Sequence, residues 1–304
     1  MAASRLSNLL DRADEAVRRL RPAPPPALAR ASAPPAAARS PRRGRFDRES
    51  ALQRYRRAVE IEGRLYNYVL YPGDGDALCV HFSAFFGEWG ERRPYREQFG
   101  GYFHRLRMFW PDTAHRYLFL CDTFGADANG TYYKGENGDF FVERAMDRIL
   151  ADTLEETGTP PDRVVAMGSS MGATAAVRFA LRHSYAGAVA VSPHFDLDLC
   201  ARHQGRERHV AATLGAVDVE DPRHFAVTRE IRHLAATVDP LPRLAVQSMA
   251  DDHGVHAEQV EPLVELWRTR GGAVRPDFHA SGGHTSDFAT ADWFAEQVDW
   301  CLGS

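Results

Sequence analysis

The stretch VVAMGSSMGATAAVRFALRH, residues 164–183, most constrains how this 304-residue chain can fold. An apolar run reaches Gly168-Ser169-Ser170-Met171-Gly172, and a helical pattern follows at once. A strand that turns directly into a helix is the repeating unit of α/β proteins with parallel sheets. Because glycine carries no side chain, the two flanking glycines let the strand and the helix approach closely. We therefore predict a tight strand–turn–helix unit here.

The same alternation continues from about residue 46 onward. Short apolar runs such as ALCVHFSAF, RYLFLCDTFG and AGAVAVSP alternate with amphipathic segments such as FFVERAMDRILADTLEETG. The segment RAVEIEGRLYNYVLYPG alternates apolar and polar residues around a turn near Gly63, which predicts an antiparallel hairpin. We predict an α/β fold with a mostly parallel, doubly wound sheet, an antiparallel N-terminal hairpin and functional residues at the carboxyl ends of the strands.

Two segments depart from this alternation. Residues 1–45 combine a short helical pattern with the run RPAPPPALARASAPPAAARSPRRGR, which cannot bury enough apolar surface to fold. We expect an N-terminal helix and a disordered tail there, followed by a folded domain over residues 46–304. Residues 193–241 hold many charges and no clear strand. Because so long a loop in a compact domain is usually functional or partly helical, we predict a lid-like insertion over the strand ends.

Charge is distributed unevenly along the chain. Residues 1–45 contain ten arginines and three acidic residues, a balance of +7, so the remainder carries −11 of the net charge of −4. The net charge gives no overall attraction to nucleic acid or to an anionic membrane. No apolar run is long enough to span a membrane, and the N-terminus lacks the apolar core of a secretory signal. We predict a cytoplasmic protein whose N-terminal helix either docks on a protein partner or frays on a linker.

The four cysteines, Cys79, Cys121, Cys200 and Cys301, lie far apart and form no C-x-x-C pair. This spacing favours buried reduced thiols over disulfides or a metal site. No further ligand at a known spacing accompanies the nearby histidines of the HGVH segment. We therefore predict neither a metal nor a cofactor.

The glycine-flanked serines match the G-x-S-x-G motif in its strand–turn–helix context. We predict that Ser170, the central serine, takes a strained backbone angle that exposes its hydroxyl beside the N–H groups at the helix start. Ser169 is less favoured, because a shift of one residue loses the flanking glycines. The alternative is a glycine-rich turn with solvent-exposed serines.

A serine hydroxyl is a poor nucleophile without a base in hydrogen-bond reach, and the order expected along such a chain is serine, acid, histidine. His284 lies in the loop SGGHTSDF between the last predicted strand and the final helix, where the base is expected. Asp251 and Asp252 both follow the penultimate strand, in LAVQSMADDHGVH. We prefer Asp252, since Val255 completes the Asp-x-x-Val spacing common at this position, and keep Asp251 as the alternative acid.

An acyl-transfer site also needs two backbone N–H donors for the developing oxyanion. We predict that the amide of Met171, the residue after the nucleophile, is one of them. The second is expected in the loop after the strand LCVHF, from the amide of Ser83 or Ala84. No glycine directly follows His81 in this loop.

Four segments, VHFSAF, CDTFGADANGTYYKGENGDFFVE, VVAMGSSMGATAA and AVSPHFDLDL, together resemble a divergent branch of α/β hydrolases. That branch includes the glycan O-acetylating protein of accessory Sec secretion systems and certain capsular polysaccharide biosynthesis proteins. The likeness covers roughly residues 65–200 and the loop that holds His284. It implies an α/β-hydrolase fold, and it carries the nucleophile, acid and base over to Ser170, an aspartate at 251 or 252, and His284. It also implies chemistry on glycans or other hydroxyl-rich acceptors.

The segment NGTYYKGENGDFF follows the strand LFLCD and is expected near the mouth of the site. Tyr132 and Tyr133 are candidates for stacking on a sugar or an aliphatic group. Lys134, the only lysine in the chain, is a candidate for binding an anionic group. The alternative is a tyrosine-rich loop packed on its own domain.

The leading hypothesis is a serine-nucleophile acyl enzyme, an esterase or O-acyltransferase that acts through a Ser-His-Asp triad on a small-molecule or glycan acyl substrate. Attack by water on the acyl-enzyme gives an esterase, and attack by a bound hydroxyl or amine gives an acyltransferase. One alternative is a catalytically silent docking partner in a biosynthetic or export assembly. Another is a peptidase or thioesterase with the same triad.

Overall fold

An eight-stranded sheet forms the centre of the molecule in the computed structural model, which describes residues 44–85 and 93–303. The strand order across the sheet is β1-β2-β4-β3-β5-β6-β7-β8. The strands are β1 (Arg56–Ile61), β2 (Arg64–Tyr71), β3 (Leu78–Phe82), β4 (Arg116–Leu120), β5 (Val164–Ser169), β6 (Gly187–Val191), β7 (Arg243–Met249) and β8 (Val274–His279). β2 pairs antiparallel with β1 and β4, and the other neighbouring strands are parallel. The predicted mostly parallel sheet with an antiparallel N-terminal hairpin is confirmed.

Helices connect these strands across both faces of the sheet. They are α1 (Arg48–Tyr55), α2 (Arg93–Phe99), α3 (Leu106–Phe109), α4 (Phe141–Thr157), α5 (Met171–His183), α6 (Leu197–Gln204), α7 (Glu207–Leu214), α8 (Pro222–Thr228), α9 (Glu230–Thr237), α10 (Glu261–Thr269) and α11 (Ala291–Leu302). Gly158 ends α4 with φ of 63°, a conformation that glycine adopts without strain. Thr290 caps the start of α11 by accepting from the amide of Trp293.

Two apolar layers sandwich the sheet. In β3, Leu78, Val80 and Phe82 face one layer, whereas Cys79 faces the other. Helices α4 and α5 contribute to the first layer and α11 to the second. Burial on both faces is what a parallel sheet with crossover helices requires. The four cysteines are buried and none forms a disulfide.

Residues 193–241 fold into four short helices, α6 to α9, rather than a structureless loop. Helix α9 packs against α5, the helix that follows Ser170. Within residues 44–85 and 93–303, no helix has the length and apolarity needed to cross a bilayer. The predicted N-terminal helix and nearly all of the tail lie outside the described residues.

Candidate active site

Ser170 occupies the sharp turn between β5 and α5. Its backbone angles, φ 51° and ψ −123°, are rare for any residue with a side chain. A Cβ atom on Gly168 would lie 2.4 Å from the carbonyl carbon of Gly172, and one on Gly172 would lie 2.1 Å from the carbonyl oxygen of Phe82. Only glycine fits at either position. The close approach of strand and helix therefore holds the serine in its strained conformation.

The side chains of Ser170, His284 and Asp252 form one hydrogen-bonded chain. The Nε2 atom of His284 lies 2.8 Å from Ser170 Oγ, and its Nδ1 atom lies 2.8 Å from Asp252 Oδ2. The Asp252 side chain is buried, whereas that of His284 is 20% exposed. A carboxylate can only accept, so Nδ1–H donates to Asp252 and Nε2 is left to accept from the serine hydroxyl. This is the arrangement that an activated serine needs.

The two neighbouring aspartates make different contacts. The exposed carboxylate of Asp251 accepts from the amides of Gly282 and Gly283, at 3.1 and 2.7 Å, in the loop that leads to His284. These backbone hydrogen bonds, first that from Gly283, lower the pKa of Asp251. Asp251 thus holds the loop while Asp252 contacts the imidazole ring, which agrees with the preference for Asp252 as the acid.

Gln204, the last residue of α6, fixes the second oxygen of Asp252. Its Nε2 atom donates to Asp252 Oδ1 at 2.9 Å and to the carbonyl oxygen of His253 at 2.9 Å. Gln204 belongs to residues 193–241, so this segment helps to position the side chain of Asp252. No local pattern in the sequence marks Gln204, because the contact joins residues 48 positions apart.

His194 stacks on the ring of His284. The ring centroids are 4.7 Å apart and the planes differ by 12°. Burial, followed by the charges of His284 and Arg206, lowers the pKa of His194 well below its ordinary value, so this ring is neutral. Neither ring nitrogen has a hydrogen-bond partner among the described residues. The neutral ring restrains the orientation of His284 without competing for Asp252. Its only sequence signal is its place in AVSPHFDLDL.

The predicted oxyanion donors lie at the start of α5 and after β3. Met171 begins α5, where backbone N–H groups lack intrahelical partners. Ser83 N–H donates to the carbonyl oxygen of Leu120 at 3.1 Å, which leaves Ala84 as the second candidate. Ala84 N–H donates to His104 Nδ1 at 3.0 Å. A bound carbonyl oxygen would therefore have to replace His104 as the acceptor.

A cleft of about 370 Å³ opens above Ser170. Its volume is in the range of small-molecule sites. The described residues that line it are Ala84, Phe85, His104, Arg105, Ser169, Ser170, Ser192, His284, Thr285 and Ser286. None of these described residues comes from 193–241, so a lid function of that segment stays a prediction.

Tyr132 and Tyr133 do not line this cleft, which corrects the prediction that they contact substrate. Both side chains are fully buried. The Tyr133 hydroxyl lies 3.0 Å from the carbonyl oxygen of Ser83, and the Tyr132 hydroxyl lies 3.0 Å from Cys200 Sγ. Asp122, at the end of β4, holds the loop by accepting from the Tyr133 amide at 2.8 Å. This segment is therefore a tyrosine-rich loop packed on its own domain, the alternative considered from the sequence.

Lys134 is likewise buried, and its charge is satisfied inside the domain. Its Nζ atom lies 2.8 Å from Glu143 and also binds Glu230. Arg178 and Arg182, on α5, contact the same Glu143. Although burial works in the opposite direction, these cations hold the pKa of Glu143 below its ordinary value. The prediction that Lys134 binds an anionic substrate group is therefore wrong, because its charge is paired with two glutamates inside the domain.

No family model matches the chain, and no curated protein matches it. Its fold is nevertheless similar to those of solved structures. The capsule O-acetyltransferase of Neisseria meningitidis serogroup A aligns over 80% of this chain and 94% of its own, with a TM-score of 0.62 and 17% identity. The Glycosylation Associate Protein (Gap123) complex from Streptococcus agalactiae aligns over 82% of this chain and 46% of its own, with a TM-score of 0.58 and 17% identity.

A third similar structure is FphF, a fluorophosphonate-binding serine hydrolase of Staphylococcus aureus. It aligns over 82% of this chain and 98% of its own, with a TM-score of 0.56 and 12% identity. These similarities agree with the resemblance read from the sequence and with the order of the strands. The chain has the α/β-hydrolase fold, and its structural neighbours include the divergent glycan-related branch.

Proposed function

We propose that this chain is a serine-nucleophile acyl enzyme, an esterase or an O-acyltransferase. The observation that carries the proposal is the pair of 2.8 Å contacts that join Asp252, His284 and Ser170 at a strained strand-to-helix turn. An O-acetyltransferase and a serine hydrolase among the structural neighbours support the same class of reaction.

In the first half of the reaction, His284 Nε2 takes the hydroxyl proton while Ser170 Oγ bonds to the acyl carbon. The π-electrons of the carbonyl group move to its oxygen. The resulting oxyanion accepts hydrogen bonds from the amides of Met171 and Ala84. His284 then gives its proton to the leaving oxygen as the carbon–oxygen bond breaks. The products are an acyl ester on Ser170 and a free alcohol. Asp252 stabilises the imidazolium that forms in between.

In the second half, His284 deprotonates a second oxygen nucleophile that attacks the acyl ester, and Ser170 leaves with the returned proton. Water yields an acid, and a bound sugar hydroxyl yields a new ester. Which of the two acceptors dominates depends on how well the site excludes water. The capsule O-acetyltransferase has been solved with CoA, which makes an acyl-CoA a donor to test here. With that donor the carbon–sulfur bond breaks, and His284 gives its proton to the leaving sulfur, so that free CoA replaces the alcohol as the product. A glycan hydroxyl is the acceptor that the resemblance favours.

A catalytically silent docking partner is the second candidate. One of the neighbouring structures is a complex of glycosylation-associated proteins, which favours a role in an assembly. A peptidase or thioesterase is a third candidate, and it differs from an esterase only in its substrate.

A fluorophosphonate probe tests the proposal without knowledge of the natural substrate. We expect wild type to be labelled and Ser170→Ala not to be labelled. Ser184→Gly is the matched control. Ser184 lies at the far end of α5 in a left-handed conformation that glycine accepts, so labelling should persist. Equal labelling of wild type and Ser170→Ala, or none of either, contradicts the proposal and favours the docking partner. Turnover of acyl esters, thioesters and peptides then separates the esterase from the thioesterase and the peptidase.

A further inference from the structure

Arg105 places a cation in the cleft beside the nucleophile turn. Its Nη1 atom donates to Ser169 Oγ at 3.0 Å and lies 3.4 Å from His81 Nε2. Its guanidinium carbon lies 5.0 Å from the centroid of the Phe294 ring. The Arg105 backbone is left-handed, with φ of 57°. Residues other than glycine rarely adopt this backbone conformation, and those that do are often found at functional sites.

No carboxylate balances this charge within residues 44–85 and 93–303. The groups that contact the guanidinium are a hydroxyl, an imidazole and an aromatic ring. Burial, followed by the charge of Arg105 itself, lowers the pKa of His81 well below its ordinary value, so His81 is neutral. These contacts engage only Nη1, which leaves Nη2 and Nε without an acceptor in the described part of the chain.

The cations of the cluster around Glu143, by contrast, are paired with carboxylates. Lys134 contacts two glutamates, and Arg178 and Arg182 share Glu143 with it. A partly buried cation without an anion is unfavourable, because desolvation is not offset by an ion pair. Burial lowers the pKa of Arg105 to about 10, so the guanidinium remains charged at neutral pH. Arg105 lines the cleft, where an anionic group of a ligand can reach its guanidinium.

We propose that Arg105 binds an anionic group of the substrate, a carboxylate, phosphate or sulfate, and so selects negatively charged esters for reaction at Ser170. Arg105 and Ser170 line the same cleft of about 370 Å³, which is large enough to hold both the ester and its anionic substituent. A guanidinium suits these oxyanions because its planar N–H groups can donate two parallel hydrogen bonds. The inference rests on the proposed acyl-enzyme function and names its substrate class.

The anion can belong to the acyl donor or to the alcohol that leaves or accepts. Two pairs of test esters separate these sources. In 4-acetoxybenzoate and its uncharged match 4-acetoxybenzamide, the charge is on the leaving alcohol. In 4-nitrophenyl monosuccinate and its methyl ester, the charge is on the acyl group. The measured quantity is the ratio of kcat/KM for the charged ester to that for the neutral ester, at one fixed low ionic strength.

We expect wild type to prefer the charged member of at least one pair. Arg105→Gln should lower that ratio about 10- to 100-fold, the usual effect of removing a charged hydrogen bond. Arg105→Lys should keep part of the preference. Arg107→Gln is the matched control, because Arg107 is an exposed arginine two residues away, outside the cleft lining, and its loss should not change the ratio. A wild-type ratio near one in both pairs, or an unchanged ratio in Arg105→Gln, overturns the assignment.

Calorimetric binding to Ser170→Ala protein separates this inference from the proposed function, because it needs no turnover. In that background, 4-acetoxybenzoate or the monosuccinate should bind at least about tenfold more tightly than its neutral match, and Arg105→Gln should abolish the difference. Charge-selective binding without any turnover in wild type contradicts the acyl-enzyme proposal but supports the anion subsite. Turnover without charge-selective binding contradicts the anion subsite alone.

Discussion

Replacing Asp252 by asparagine tests the geometry of the proposed triad, because Gln204 dictates how the introduced amide must lie. Gln204 Nε2 donates to one oxygen of Asp252, and the carbonyl of His253 restrains that donor. The introduced carbonyl oxygen must therefore face Gln204, which turns the introduced NH₂ group towards His284 Nδ1. Nδ1 then has to accept, so the ring proton moves to Nε2. In that tautomer His284 cannot take the proton of Ser170.

We expect Asp252→Asn to lower kcat/KM for 4-nitrophenyl acetate by about 10³- to 10⁴-fold, a loss of about 4–5.5 kcal/mol of transition-state stabilisation. The rate of fluorophosphonate labelling should fall in parallel, because it depends on the same deprotonation. Circular dichroism checks that the variant remains folded.

Asp251→Asn is the matched control for this prediction. Asp251 contacts the amides of Gly282 and Gly283 rather than the ring, and an amide keeps one acceptor oxygen for them. We expect less than a tenfold loss of kcat/KM. A larger loss in Asp251→Asn than in Asp252→Asn would refute the assignment of the acid.

A second variant tests the orientation argument itself. Adding Gln204→Ala to Asp252→Asn removes the donor that fixes the introduced amide, which can then turn its carbonyl oxygen towards His284 Nδ1. We expect the double variant to recover about tenfold in kcat/KM over Asp252→Asn, although Gln204→Ala alone lowers activity. Simple addition of the two losses would contradict the reasoning.

Two further predictions concern stability. Lys134→Met removes the closest cation from Glu143 and Glu230, which keep their contacts with Arg178 and Arg182, so the free energy of unfolding should fall by about 1–3 kcal/mol in a denaturant titration; an unchanged midpoint would contradict the structural role given to Lys134. In spite of its burial, which acts in the opposite direction, hydrogen bonds led by that from His115 lower the pKa of Asp112 to about 2. Because the pKa of Asp112 is depressed in the folded state, its stabilisation is complete above about pH 4 and is lost as the pH falls towards 2. Asp112→Asn should remove about 1–2 kcal/mol, after allowance for solvent screening, from the dependence of the unfolding free energy on pH in that window; a slope equal to that of wild type would contradict this.

The strand-to-helix turn could be predicted from sequence because its signal, two glycines between an apolar run and a helical pattern, lies within residues 164–183. Gly168 and Gly172 exclude side chains on account of atoms that lie close to them in the same βα unit or the adjacent strand. The order of Ser170, Asp252 and His284 along the chain was equally informative, since the carboxyl ends of parallel strands meet at one edge of a sheet. The three side chains lie close together because each follows the carboxyl end of a strand at that edge. Their catalytic roles stay predictions.

The orientation of the tyrosine loop could not be predicted in the same way. A loop after a strand end reaches either the cleft or the interior, and composition does not distinguish the two. Lys134 is drawn inward by Glu230, which lies 96 residues later in the chain. The position of Arg105 in the cleft could not be predicted either. Whether a carboxylate lies near an arginine depends on the fold, and among the described residues none contacts Arg105.

The individual helices of residues 193–241 could not be placed from the sequence, although a partly helical segment is one of the two expectations for so long a loop. Each is only seven or eight residues long, which is too short to show a clear period or to be stable alone. Packing against the rest of the domain stabilises these helices, as the burial of Leu234 in α9 illustrates.

The buried cluster around Glu143 has a mechanical consequence for this segment. Glu230, the first residue of α9, shares Lys134 with Glu143, and Arg182 on α5 bonds to Glu143 as well. Pulling α9 away would break the buried contacts of Glu230 with Lys134 and Arg182, whereas Glu143 would keep its cations. The end of residues 193–241 is thereby attached to α5, the helix that follows Ser170. Gln204 in α6 is bonded to Asp252, so any movement of this segment over the cleft would have to lie between these two attachments, in α7 and α8.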